Sequence, residues 1–318
     1  MKRLLGFDIG GTKCAVHVGD VNGVPCDYDI IFPTPVGFPA TWARLQEAVE
    51  EMMARGGFTM KDVAAVGISC GGPLDSAKGL VLSPPNLPGW DAIPFTRIVT
   101  ERYGIPATLM NDANACALAE WRFGAGRGST NMLFFTMGTG FGGGMVLGGR
   151  LYEGTCYMAG EVGHVTLDPT GPEAFGKRGS WEAYCGGNGI KRYATLMAQT
   201  PEWKQAACDY VQRTGGEDYT AKALANAAKA SDSFALKIFE DVGRRLGQGL
   251  GMMLDVLNPD TIVIGSIFER CEAFIRPTME EAMRREALPQ AYACCKVVAA
   301  ALGDRIGAYA SLAAAHPY

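Results

Sequence analysis

No apolar run in the chain approaches the roughly 18 residues that a membrane-spanning helix needs. The N-terminal stretch offers no substitute, because Lys2 and Arg3 are followed by an apolar segment that Asp8 stops far short of a signal core. Strong charge of one sign is also missing: 29 Lys and Arg stand against 33 Asp and Glu, for a net charge of −4. Without a basic run, neither a nucleic acid nor an anionic membrane surface is an expected partner. The 10 cysteines contain no Cys-x-x-Cys, and the one close pair is Cys294-Cys295. Cys14, Cys70, Cys116, Cys156 and Cys271 lie in apolar stretches. That placement predicts reduced cysteines packed as small hydrophobes, with the cytoplasm as the expected compartment.

What is present is ordinary globular usage, 48% hydrophobic and 19% charged over 318 residues. At roughly 150 residues per domain, that length predicts about two domains with a sizeable core. The first strand reads Leu4 to Ile9, followed by Gly10-Gly11 and a strand over 12–18 in which Cys14, Val16 and Val18 alternate with Lys13, Ala15 and His17. A third strand is predicted near 28–32, and Trp42, Leu45, Val49 and Met52 repeat at helical spacing. Strands at 63–69 and 107–110 and helices at 94–103 and 113–123 complete an α/β layer with a hairpin at its front.

The order then begins again. An apolar strand over 131–137 runs into a glycine turn over 138–144 and a strand over 145–147. Phe7-Asp8-Ile9-Gly10 lies over Phe135-Thr136-Met137-Gly138, 128 positions on, a weak internal duplication. A helical stretch at 221–230, a long helix at 234–257, strands at 261–265 and 296–300 and a last helix at 304–315 follow. No Ser- or Pro-rich linker separates the halves, so two domains packed about a shared cleft are expected.

Several motifs carry chemistry. In Asp8-Ile9-Gly10-Gly11-Thr12-Lys13, glycines allow main-chain N–H groups to form an anion nest, joined by a hydroxyl, an ammonium and a carboxylate. That set suits a nucleotide polyphosphate with Mg²⁺ held by the carboxylate through water; the plain alternative is a Gly-Gly hairpin. Gly138-Thr139-Gly140-Phe141-Gly142-Gly143 satisfies the dinucleotide pattern but runs into a strand instead of a helix, which favours a second phosphate hairpin. Asp112, where strand meets helix, reads either as an N-cap or as a general base for a hydroxyl. Glu161 and His164 form a single i,i+3 pair in a Gly-rich stretch, too few for a di-metal site. With Glu182, Asn86 and Asn111 they suit recognition of a neutral polyol, which needs several acceptors.

In combination and in order, these motifs resemble the ROK family (repressors, uncharacterised frames and sugar kinases) of the actin-like ATPase superfamily. The resemblance also draws on Cys70-Gly71-Gly72-Pro73-Leu74, Asn86-Leu87-Pro88-Gly89-Trp90, Asn111-Asp112-Ala113-Asn114 and Gly160-Glu161-Val162-Gly163-His164. It implies two α/β domains with ribonuclease-H-like cores around a central cleft: a smaller one over 1–111, completed by the C-terminal helix at 304–318, and a larger one over 112–303. It implies an ATP-dependent hexose kinase with Asp112 activating the sugar 6-hydroxyl, and glucose as the default substrate. Sugar contacts would come from Gly72, Asn86, Asn111, Glu161, His164 and Glu182. ATP would be held by Asp8, Gly10, Gly11, Thr12, Lys13, Gly138, Thr139, Gly140 and Gly265, with Mg²⁺ bound to Asp8 through water. A homodimer is the assembly implied. The alternatives are an N-acetylmannosamine or N-acetylglucosamine kinase, or a non-catalytic sugar sensor. Family repressors carry a winged helix ahead of the first hairpin, which here opens at residue 8.

Two positions depart from the family pattern. Ser266 stands where a second Gly is usual after Gly265. Glu173, Phe175 and Ser180 replace the three cysteines that, with the His of the Glu-x-x-Gly-His segment, hold structural zinc. The expectation is therefore a chain without structural zinc, its loop packed by Phe175 and Trp181. Metal analysis of the purified protein is expected to find far less than one Zn²⁺ per chain, and unit stoichiometry would contradict this reading.

Overall fold

The computed structural model describes residues 2–316, so Met1, Pro317 and Tyr318 lie outside the described residues. Alternation along the strand Arg3–Ile9 sets the frame of the first sheet. Leu5, Phe7 and Ile9 turn into a core with Val16, Val18, Val66 and Ile68. Leu45, Val49 and Met52 of the helix Phe38–Gly56 close over them, with Phe95 and Val99 of the helix Phe95–Tyr103. The strand order is Ile30–Pro33, Lys13–Asp20, Arg3–Ile9, Val63–Cys70, Ala107–Asn111. The first two pairings are antiparallel and the last two parallel.

The opposite face of that sheet receives the last helix, Ile306–Ala314. Gly6 and Gly67 are register partners on adjacent strands. A Cβ at Gly6 would stand 2.2 Å from Ser311 Oγ, and one at Gly67 would stand 2.0 Å from the Ser311 carbonyl oxygen. Ser311 is fully buried and its hydroxyl donates to the Ala308 carbonyl at 3.1 Å. The paired glycines are thus a slot for one turn of helix. The same helix passes over Asp8, where a Cβ at Gly307 would come within 2.5 Å of Oδ2.

A second five-stranded sheet has the order Arg150–Leu151, Phe141–Leu147, Met132–Met137, Thr261–Ser266, Lys296–Ala299. It repeats the plan of the first, a meander followed by parallel strands, as the weak duplication anticipates. The glycine run differs from expectation. Its strand begins at Phe141, leaving only Gly138-Thr139-Gly140 as the turn. Gly144 is a strand residue pressed by the helix Asp112–Phe123, since a Cβ there would lie 2.6 Å from Ala117 Cβ.

Two compact units result, residues 2–128 with 144–160 and 301–316, and residues 129–143 with 161–300. The helix Asp112–Phe123, beyond the boundary expected at 111/112, groups with the first unit. There Ala115, Leu118 and Ala119 pack against Ala310, Ala313 and Ala314. In the second unit the long helix Ser233–Leu257 lies along Ile267–Glu286, and a Cβ at Gly247 would stand 2.1 Å from the Met279 carbonyl oxygen. Trp181 is fully buried there, its ring centroid 4.9 Å from Phe141 and 5.5 Å from Phe135.

All ten cysteines are free. Cys14, Cys70 and Cys271 are buried as expected and Cys116 is half-buried, but Cys156 is exposed because it falls in a turn after Gly154. Among the described residues no helix is long and apolar enough to cross a membrane. Gly67→Ala is expected to lower stability by about 1–3 kcal/mol, since the obstacle is main chain that cannot rotate away. The midpoint of urea unfolding checks this, and an unchanged midpoint would mean the last helix is not seated in the slot.

Candidate active site

Asp8 is the penultimate residue of the strand Arg3–Ile9, and Asp112 follows the strand Ala107–Asn111. Both strands run parallel to Val63–Cys70 between them, so both carboxylates emerge at the C-terminal edge of one sheet. The question of the helix cap is settled by Asn111, whose Oδ1 accepts from the Ala113 N–H at 2.9 Å and the Asn114 N–H at 3.3 Å. Asp112 Oδ1 accepts from the Ala113 N–H at 2.8 Å, leaving Oδ2 uncommitted to the cap. That oxygen faces Gly71, where a Cβ would sit 3.9 Å away.

The Asp112 side chain has an open face, yet the protein packed around it raises its carboxyl pKa, and the Ala113 N–H opposes the rise. Asp8 is raised as well, first by burial and then by the charge of Asp112, while His17 and Lys13 pull the other way. Burial, reinforced by Asp112, holds the Cys70 and Cys116 thiols well above their usual range. They therefore stay neutral and offer no competing nucleophile.

The first glycine turn is tighter than a nest. Gly10 N–H donates to the Lys13 carbonyl at 3.0 Å, and neither Gly10 nor Gly11 has positive φ. Gly11 is required by a close approach instead, because a Cβ there would stand 2.6 Å from Asn86 Cβ. Gly11, Thr12 and Lys13 are exposed, as is Asn86. The Asn86 segment is pinned by Leu87 and by Trp90, whose ring meets Phe38 at 5.0 Å and Phe95 at 5.6 Å. Gly72 adjoins Asn111, with 3.4 Å from a Cβ position to Nδ2.

The second unit gathers its own set. Glu182 Oε2 accepts from the Phe141 N–H at 2.9 Å, tying the Gly138-Thr139-Gly140 turn to the short helix Trp181–Cys185. Gly187 and Asn188 N–H groups donate to the Gly138 and Thr139 carbonyls at 2.8 and 3.0 Å. Glu161 and His164 are both exposed at the ends of a single 3-10 turn. Gly265 precedes Ser266, which adopts φ 66° and is held by its N–H donating to Glu269 Oε1 at 2.5 Å. A Gly would suit that backbone better.

His17 is a residue the sequence reading did not single out. It is buried, its Nδ1 lies 2.7 Å from Asp29 Oδ1, and its positive form would favour the charged form of Asp8. The signal was its alternation with Ala15 on the strand face that Asp8 shares. The expected packing of the 165–180 loop by Phe175 and Trp181 takes another form: the Trp181 ring packs on Phe135 and Phe141, and the Phe175 ring lies 5.8 Å from that of His164. Phe175 is still 69% exposed, with φ 50° at the tip of a two-residue ribbon. No group of three or more His, Cys, Asp or Glu that could hold a metal occurs among the described residues.

Solved structures share this fold along their length. The ROK hexokinase of Thermus thermophilus is 32% identical, with a TM-score of 0.81 over 99% of this chain and 98% of that one. The ROK family glucokinase of Streptomyces griseus, solved with glucose and AMPPNP, is 30% identical with a TM-score of 0.80 over 99% and 100%. In sequence, the glucokinase of Halalkalibacterium halodurans is 31% identical over 306 residues, 95% of this chain and 92% of that protein. The fold is that of the actin-like ATPases, with two α/β domains. The family profile itself matches residues 4–316, and the chain belongs to the ROK family.

Proposed function

We propose that this protein is an ATP-dependent hexose kinase, glucokinase-like, that transfers the γ-phosphoryl group of ATP to the 6-hydroxyl of the sugar. The observation that carries this is Asp112: relieved of capping by Asn111, raised in pKa, and placed at the same sheet edge as Asp8. Its Oδ2 accepts the hydroxyl proton as the new O–P bond forms and the bond to the β-phosphate oxygen breaks, releasing ADP. The residues assigned to the sugar hydroxyls are Gly72, Asn86, Asn111, Glu161, His164 and Glu182. Glu182 offers Oε1, since Oε2 is committed to Phe141.

The nucleotide falls to Asp8, Gly10, Gly11, Thr12 and Lys13 and to Gly138, Thr139, Gly140 and Gly265. Asp8 fits a hydrated Mg²⁺: it is a carboxylate at a crowded sheet edge, raised in pKa, with a second carboxylate acting on it. Mg²⁺ held there would supply charge neutralisation to the phosphates. Lys13, exposed beside it, adds a cation to the same region. Glucose is the substrate that the relatives support, the cytoplasm the location, and a homodimer the assembly.

Release of ADP from MgATP across hexoses and N-acetylhexosamines tests the reading. Glucose-dependent turnover is expected, with kcat reduced about 10²–10⁴-fold in Asp112→Asn. Undiminished turnover in the variant would place the base elsewhere. A preference for N-acetylmannosamine or N-acetylglucosamine would reassign the substrate, and sugar binding without turnover would make the protein a sensor.

A further inference from the structure

Residues 165–180 connect His164 to the helix that carries Glu182, and little apolar burial holds them. Leu167 and Ala174 are buried, whereas Val165 and Phe175 are exposed. The stem is main chain: Trp181 N–H donates to the Val165 carbonyl at 2.8 Å, Leu167 N–H to Gly179 at 2.8 Å and Gly179 N–H to Pro172 at 2.7 Å. At the tip, Lys177 Nζ reaches back to the His164 carbonyl at 2.6 Å.

Arg192 donates to the Glu173 carbonyl near the tip, and at the stem Asp168 ties the loop to the body of its unit. Asp168 Oδ1 accepts from Thr170 N–H at 3.0 Å and Thr170 Oγ1 at 2.7 Å, folding the loop on itself. Its Oδ2 accepts from Arg245 Nη2 at 2.7 Å and from the Tyr184 hydroxyl at 3.2 Å. Arg245 belongs to the long helix Ser233–Leu257, and Tyr184 lies two residues after Glu182 on Trp181–Cys185. The Arg245 guanidinium also lies over the Tyr184 ring, 4.8 Å from its centroid. Gln248, one helical turn on, accepts from Arg245 Nη1 at 3.2 Å and donates to the Leu167 carbonyl at 3.4 Å.

We propose that Asp168, clamped by Arg245 and Tyr184, is a positioning residue for sugar binding that sets His164 and Glu182 by fastening the loop between them. The inference rests on the assignment of those two residues to the sugar. The clamp is partly exposed, with side chains 32% and 23% accessible for Arg245 and Asp168. Such a pair adds little to global stability. Its effect is local order, which separates its role from a structural one.

In Asp168→Asn the KM for the sugar is expected to rise about tenfold, with kcat and the KM for MgATP within about threefold. The melting temperature should stay within about 3 °C of wild type. Arg245→Met should reproduce the effect, Arg245→Lys should restore part of it, and the double variant should be no worse than either single one. Amide exchange at Leu167 and Gly179 should quicken in Asp168→Asn. An unchanged sugar KM, or a lowered melting temperature without a KM effect, overturns the proposal. If wild type phosphorylates no hexose, the kinase reading fails on its own, and exchange decides the clamp: retained protection at Leu167 and Gly179 overturns it.

Discussion

Two carboxylates held at one edge of a sheet, with protein crowding both, are the constraint on which the rest depends. Left in water, Asp8 and Asp112 would ionise as ordinary acids. Here packing raises both, and the charge of Asp112 adds to the rise at Asp8. Maintaining that arrangement requires a sheet whose parallel strands end together and a helix that begins at Asp112 without using it as a cap. It also requires a last helix seated close enough to pass over Asp8. The glycine pair Gly6 and Gly67, the Asn111 cap and the Gly307 approach each meet one of these demands.

The second unit meets a different demand with a polar solution. Its loop over 165–180 presents Glu173, Phe175 and Ser180 where the resemblance to the family implies zinc-binding cysteines. Apolar burial is slight there, since Phe175 is largely exposed even beside His164. A carboxylate with four donors, Asp168, joins the loop to the long helix and to the helix of Glu182. Glu182 in turn holds the Gly138-Thr139-Gly140 turn through the Phe141 N–H, so the residues proposed for sugar and for nucleotide in this unit are joined through one short helix.

Much of this was legible in the sequence, where local pattern and tertiary demand agree. The hairpin strands alternate visibly, and Leu45, Val49 and Met52 mark a helix whose buried stripe is that series. The glycine run at 138–144 misled because glycine serves turns and close packing alike; only the neighbouring Ala117 distinguishes them at Gly144. The helix Ile267–Glu286 escaped notice because Pro277 interrupts a charged stretch. Its partner face on the long helix is partly glycine, which has no hydrophobic periodicity to read. At the site, residue types were legible and their commitments were not. Neither the capping by Asn111 nor the bond from Phe141 to Glu182 has a signature in spacing, because each joins groups brought together by folding.

The central claim is that Asp112 works as a base whose pKa the fold has raised. The most direct measurement is the pH dependence of kcat/KM for the sugar at saturating MgATP, which reports ionisations of the enzyme before the sugar binds. A base must be unprotonated, so activity should fall as pH drops through the raised value. The account predicts an acid limb above the ordinary aspartate value of 3.8, and its loss from the residual activity of Asp112→Asn. A limb at or below that value, or one that persists in the variant, would contradict it.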